Sequence, residues 1–313
     1  VVFKKEWLPW AFFWWFLILL ILEHLAQELN RLLIIKSEQL FASIVLFFRS
    51  GFWCLVVVSY IGFVPEHRSV KVILFAWVIG GLLACLVGLI KLPLFKAKHF
   101  FAPIDWQWIK KGVCVAFPFL LATLAMRGFF TFDRYWIKSI ADLEILGVYV
   151  LYIGIANAII SFVDSGVLVF MYPVVISDAK NRDFQSYKKN MKLLFNKTVS
   201  VLLILSVFSM VGIHYIVRVL ENPIYVKNLI IFYWLIASIA VFTVGLVPQI
   251  GLYAFSIDRP IIISHIFGFI FFTISVWLSS GHFGIMSVPY SLFFSLLITL
   301  IWKTIAFLRM DKH

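Results

Sequence analysis

Apolar positions fill most of this chain in runs of about 20 residues, separated by short polar stretches. Runs at 7–29, 39–64, 70–90, 113–138, 145–172, 193–219, 228–255, 260–280 and 284–306 each have the length that carries an α-helix across a hydrocarbon core about 30 Å thick. The pattern predicts an all-α integral membrane protein with about nine transmembrane helices. In the first run Glu23, His24, Gln27, Glu28, Asn30 and Arg31 follow the apolar part, so one helix is expected to emerge from the membrane there. The two longest connections are expected at 91–112 and 173–192. The first divides the runs three and six, which predicts a partial first lobe over 1–92, a basic connection over 93–112 and a second lobe of six spans over 113–313.

Composition excludes a soluble domain. Of 313 residues, 63% are hydrophobic, 18% aromatic and only 13% charged, with a mean hydropathy of +1.02. The net charge of +12 would raise nucleic acid as a partner in a soluble protein; here the cations sit in loops and no nucleic acid is implied. Counted by alternating sides of the expected spans, sixteen Lys and Arg fall on one side, including Lys110, Lys111, Lys188, Lys189, Lys192, Lys303 and Arg309, and eight fall on the other. The richer side is expected to be cytoplasmic, with the C-terminus on it. Arg49, Arg127 and Lys197 lie inside or near spans and stand outside that count.

Cys54, Cys85 and Cys114 are isolated in apolar runs, and His24, His214 and His265 share no metal-ligand spacing. Neither a P-loop nor a glycine-rich nucleotide fingerprint is present, so no metal, cofactor or enzymatic chemistry is expected.

The polar residues inside the spans carry the functional signal. In 113–138, Thr123, Arg127, Phe130, Arg134 and Lys138 fall near one side of a helix, with Asp133 beside Arg134 and Pro118 expected to bend the helix. An arginine at the centre of a membrane helix costs about 2.5–3.5 kcal/mol on insertion scales, so it pairs or faces a wet cavity. In the fifth run Asn157, Ser161 and Asp164 stand at i, i+4 and i+7. Asp164 is therefore expected near Arg127 or lining the same cavity. Arg49, followed by Ser50 and Trp53, is the leading cation of the first three runs. Plainer roles stay open for each: an Asp–Arg pair that only ties two helices, an Arg49 that snorkels, and an Asp133–Arg134 pair on a solvated helix end.

The run FPFLLATLAMRGFFTFDRYWIKSIADLEILGVYVLYIGIANAII, then FVDSGVLVFMYPVVISDA and a basic KKNMKLLF, resembles the polysaccharide flippases of the multidrug/oligosaccharidyl-lipid/polysaccharide exporter superfamily. Pro118, Asp133 with Arg134, Gly147, Tyr149 and Pro173 carry the resemblance, and Arg31, Arg49 and Trp53 extend it. It implies two lobes of six helices about a pseudo-twofold axis, with the nine spans here the last nine of twelve and three preceding Val1. It further implies alternating-access movement of an undecaprenyl-pyrophosphate-linked oligosaccharide across the bacterial cytoplasmic membrane, for O-antigen, capsule or exopolysaccharide synthesis. Arg49, Arg127, Arg134 and Lys138 would meet the diphosphate, Thr123, Asn157 and Ser161 the sugar hydroxyls. Asp164 and Asp133 would serve ion coupling or charge pairing. Membrane lipid, a polysaccharide polymerase and its chain-length machinery are the further partners the resemblance allows. A drug/cation antiporter of the same fold, and a membrane polysaccharide polymerase or ligase, are the competing functions.

Overall fold

A computed structural model describes residues 10–36, 38–64, 66, 69–92 and 105–310. Among them every regular element is a helix. Seven helical stretches are long and apolar enough to cross a membrane: Gln39–Phe63, Val70–Lys91, Trp106–Ile140, Leu143–Lys180, Phe184–Val219, Leu229–Ala254 and Arg259–Met310. These mark the chain as a multi-pass membrane protein. The expected first crossing over 7–29 is not among them. Its described part is a 3₁₀ turn, Trp10–Phe12, leading into α1 (Phe13–Ile35), which bears Glu23, Glu28 and Arg31. The last two expected runs share one stretch. Within it α12 (Arg259–Phe283) and α13 (Ser287–Met310) are separated by a turn at Gly284, whose φ of +51° suits a residue without a Cβ.

The chain forms two compact units, Val1–Ile104 and Asp105–His313. In the first, α1 packs on α4 (Val70–Lys91) and on α2 (Gln39–Phe47). A π-helical turn at Phe48–Phe52 joins α2 to α3 (Trp53–Phe63) without ending the rod. Glycines set the approach of α4. A Cβ on Gly88 would stand 2.9 Å from the Leu29 Cβ, and one on Gly80 2.8 Å from the Phe48 carbonyl oxygen. Small residues of this kind let membrane helices close on each other where no hydrophobic drive operates between them.

In the second unit α5 (Trp106–Ile140) is a single helix running through Pro118. Its first turns occupy residues expected to be connection, and 93–104 lie outside the described residues. Asp105 starts α5 by accepting from the Trp108 amide at 3.0 Å. The expected long connection at 173–192 is instead nearly all helix. α6 (Leu143–Val163), a π-helical turn (Asp164–Leu168) and α7 (Val169–Lys180) form one rod that passes through Pro173. After only Asn181, Arg182 and Asp183, α8 (Phe184–Val219) begins. Asp183 caps it, accepting from the Ser186 amide at 3.0 Å, and that donor holds its carboxyl below the usual carboxylate range. A short α9 (Pro223–Lys227) precedes α10 (Leu229–Val244), which breaks at Gly245 before α11 (Leu246–Ala254).

The core of this unit is drawn from α5, α6, α7, α8, α10, α11, α12 and α13, with Tyr149, Tyr152, Phe232 and Phe272 fully enclosed. α12 and α13 make the most extensive helix pair, and α5 lies against α12. Their seam is polar and tight. Ser291 donates to Ser275 at 2.9 Å, Thr299 to the Ser264 carbonyl at 3.4 Å, and a Cβ on Gly268 would sit 2.5 Å from the Thr299 hydroxyl.

Candidate functional site

Along α13, Ser287, Ser291, Ser295, Thr299 and Lys303 recur every fourth residue, which places them on one helix face. All five are buried. The hydroxyls are satisfied within the seam: Ser295 donates to the Ser291 carbonyl at 2.6 Å and Thr299 to that of Ser295 at 2.9 Å. The row ends on Lys303, 1% exposed. Its Nζ donates to Gln249 Oε1 at 3.1 Å and packs against the helix break at Gly245. A buried ammonium demands such an acceptor, and here the acceptor is neutral. His265, 4% exposed, lies in the field of Lys303, and its Nε2 has no hydrogen-bond partner among the described residues.

Gln249 has a second face. With Leu246, Ile250 and Tyr253 of α11 it lines an open groove of about 400 Å³, whose other wall is Asp164, Leu168, Val169 and Tyr172. Asp164 opens the π-helical turn of the α6–α7 rod, a local widening that often marks functional positions in membrane and soluble helices alike. It is exposed, and its carboxylate has neither a hydrogen bond nor an ion pair among the described residues. The groove thus combines apolar walls, two phenols, one amide and one carboxylate, the sparse polar pattern typical of small-molecule sites.

The cations of α5 do not line this groove. Thr123, Arg127, Arg134 and Lys138 are all exposed. Among the described residues none of the three cations is in an ion pair; the three pairs found, Arg31–Glu28, Arg49–Glu23 and Lys91–Glu38, all lie in the first unit. At 35 residues α5 is about 52 Å long, whereas a core-spanning segment needs about 20 residues. Centred between Lys111 and Arg134, that segment contains Arg127 and leaves the other charges at its edges.

The expected partnership of Arg127 with Asp164 is not formed: both side chains are exposed and no ion pair joins them. Asp133 departs from a solvated helix end. It is fully buried, accepting from the Tyr149 hydroxyl at 2.9 Å and from the Arg134 amide at 2.6 Å. Asn157 is half-buried, and its carbonyl accepts from the exposed Ser161 hydroxyl at 3.3 Å.

In the first unit, Arg49 does not snorkel to water. Its Nε meets Glu23 Oε2 at 2.6 Å; Glu23 Oε1 also accepts from Trp77 Nε1 at 2.8 Å. Trp53 closes the cluster, stacking on Trp77 at 5.1 Å and donating to the Arg49 carbonyl. A cation so neutralised is held in place by α1, α3 and α4.

Gln249, Lys303, Tyr172, Tyr253 and His265 are not among the expected site residues; by sequence Lys303, in the run 284–306, counts only with the cations of the cytoplasmic side. The four-residue recurrence ending on Lys303 is the signal that places it inside the fold. Compared with known proteins, the chain matches no family model, no curated protein and no solved structure.

Proposed function

We propose that this chain belongs to a transporter that moves an undecaprenyl-pyrophosphate-linked oligosaccharide across the bacterial cytoplasmic membrane, by alternating access, for surface polysaccharide synthesis. The observation that carries the reading is the row of three unpaired, exposed cations on α5, with Arg127 inside the membrane-length part of the helix. A helix bears such a charge when it faces water or an anion. A diphosphate is the anion that arginine forks match, through paired N–H donors.

Resemblance of most of the chain, from about residue 20 to 300, to polysaccharide flippases supplies the cargo class and the architecture, nine spans as the last nine of a six-plus-six fold with the C-terminus cytoplasmic. Thr123, Asn157 and Ser161 are then the hydroxyl-facing groups, and polymerase and chain-length proteins the neighbours in the pathway. Arg49 serves this role only after release from Glu23. The test is movement of a lipid-linked oligosaccharide in liposomes. Arg127→Ala abolishes it while the protein still inserts and melts normally; unchanged movement in that variant removes the reading.

One observation favours a second reading, a drug/cation antiporter. Asp164 presents an unpaired carboxylate to a groove that two tyrosines also line, and such a group also suits an organic cation.

A further inference from the structure

α13 has a second face, turned away from its buried Ser/Thr row. Ile298, Ile301, Trp302, Ile305, Ala306 and Arg309 recur at i, i+3, i+4, i+7, i+8 and i+11, the spacing of one helical stripe. With Pro260 of α12 they line an open groove of about 560 Å³, within the size range of ligand sites. Trp302 leans on Phe267 of α12, with ring centroids 5.6 Å apart. Ala306 is the smallest side chain of the stripe, so a large residue there would fill the groove.

The groove is apolar along its length and cationic at one end. From Ile298 to Arg309 it runs about 16 Å along the helix, close to one leaflet's half of a hydrocarbon core about 30 Å thick. Arg309 stands about 33 Å from Ser287 at the start of α13, and so reaches the edge of that core. Thr299 donates to the Ser264 carbonyl and Ser291 to Ser275. The two helices therefore run antiparallel, in a register that sets Arg259, at the start of α12, at the same end as Arg309. Both arginines are exposed, and neither has a hydrogen bond or an ion pair among the described residues. None of the residues lining the groove is acidic.

Three occupants meet this arrangement differently. Free phosphate uses the arginines and leaves the apolar wall unused. A zwitterionic phospholipid covers the wall with an acyl chain, yet brings its own ammonium towards two guanidinium groups. An anionic phospholipid satisfies both ends, its chain on the isoleucines and Trp302 and its phosphate on the arginine forks.

We propose that this groove is a binding site for one anionic glycerophospholipid, its acyl chain along Ile298, Ile301 and Ile305 and its phosphate on Arg309, with Arg259 as the second cation. The site does not depend on the cargo; it requires only that α13 crosses the membrane.

The test is native mass spectrometry on the delipidated full chain, titrated with dioleoylphosphatidylglycerol and dioleoylphosphatidylcholine, whose acyl chains are identical. At about a factor of five for each cation beside an anionic headgroup, the first phosphatidylglycerol binds about 25-fold more tightly than phosphatidylcholine. Arg309→Met lowers that preference to about fivefold, and Arg259→Met/Arg309→Met abolishes it. Both substitutions are at exposed positions, so the preference is testable whatever a groove-filling variant does to the fold. Placement is read in phosphatidylcholine nanodiscs holding a small fraction of phosphatidylglycerol brominated on its chain. The bromines quench the Trp302 fluorescence, taken as the difference between wild type and Trp302→Phe, and Ala306→Phe relieves the quenching.

Equal affinity for the two lipids makes the groove ordinary lipid-facing surface and overturns the proposal. A preference that survives the double arginine variant, or quenching that Ala306→Phe leaves unchanged, does the same. Tighter binding of farnesyl phosphate than of phosphatidylglycerol overturns it in favour of a polyprenyl lipid.

Discussion

Replacing Gln249 with leucine should damage this protein more than removing the lysine it serves. In Gln249→Leu the Lys303 ammonium, 1% exposed, loses its 3.1 Å acceptor and stays buried. Losing a hydrogen bond to a charged group costs about 1.5–3 kcal/mol, and leaving a buried charge without its partner about 3–5 kcal/mol. The expected penalty is therefore about 3 kcal/mol. Lys303→Met removes the charge and fills the same space with a flexible apolar chain. Gln249 then faces the groove, where water can satisfy its oxygen, and the cost should be about 1 kcal/mol. The double variant should resemble Lys303→Met, giving a coupling energy of about 2–3 kcal/mol between the sites. Thermal melting of all four proteins in one detergent should rank wild type first, Lys303→Met and the double variant next, and Gln249→Leu last. If Lys303→Met melts below Gln249→Leu, or if the two changes simply add, the ammonium is not held by this amide.

Three further outcomes follow from the packing. Gly268→Ala drives a Cβ to within 2.5 Å of the Thr299 hydroxyl, so it should cost about 1–3 kcal/mol in thermal melts and recover in the Gly268→Ala/Thr299→Ala pair; Gly212→Ala, with nothing within 4 Å, should gain a few tenths of a kcal/mol from helix propensity. Tyr149→Phe removes the side-chain donor of the buried Asp133 carboxylate and should cost about 1–3 kcal/mol, again read by melting. Because the Ser186 amide holds Asp183 below its ordinary carboxyl range, that cap is fully present at neutral pH and is lost as pH falls through the folded-state value. Hydrogen exchange at the start of α8 should be faster in Asp183→Ala at neutral pH and equal to wild type in strong acid.

The helices were legible because length and apolarity suffice for them, as at 70–90 and 193–219, which fall in α4 and α8. Prolines misled at the boundaries. Pro173 reads as the end of a helix, yet it removes only one amide from a rod that continues to Lys180. The α5 cations were visible as a helical stripe, since their spacing is local. Lys303 was not, because a lysine after an apolar run normally marks the membrane edge; the Ser/Thr recurrence before it holds the contrary information. The groove was beyond local reading. Asp164 and Tyr172 come from one rod and Gln249 and Tyr253 from a helix some eighty residues later, and no spacing within either segment shows that they meet. The same distance defeats the Asp164–Arg127 pairing, which assumed that two unpaired charges must find each other.

The central claim is tested most directly by reconstituting the protein in liposomes. These would carry a fluorescent lipid-diphosphate-oligosaccharide outside and an organic cation dye inside, and both would be followed in the same vesicles. The account predicts movement of the oligosaccharide lipid, lost in Arg127→Ala, with no movement of the dye. Dye export without lipid movement, or lipid movement indifferent to Arg127, contradicts it.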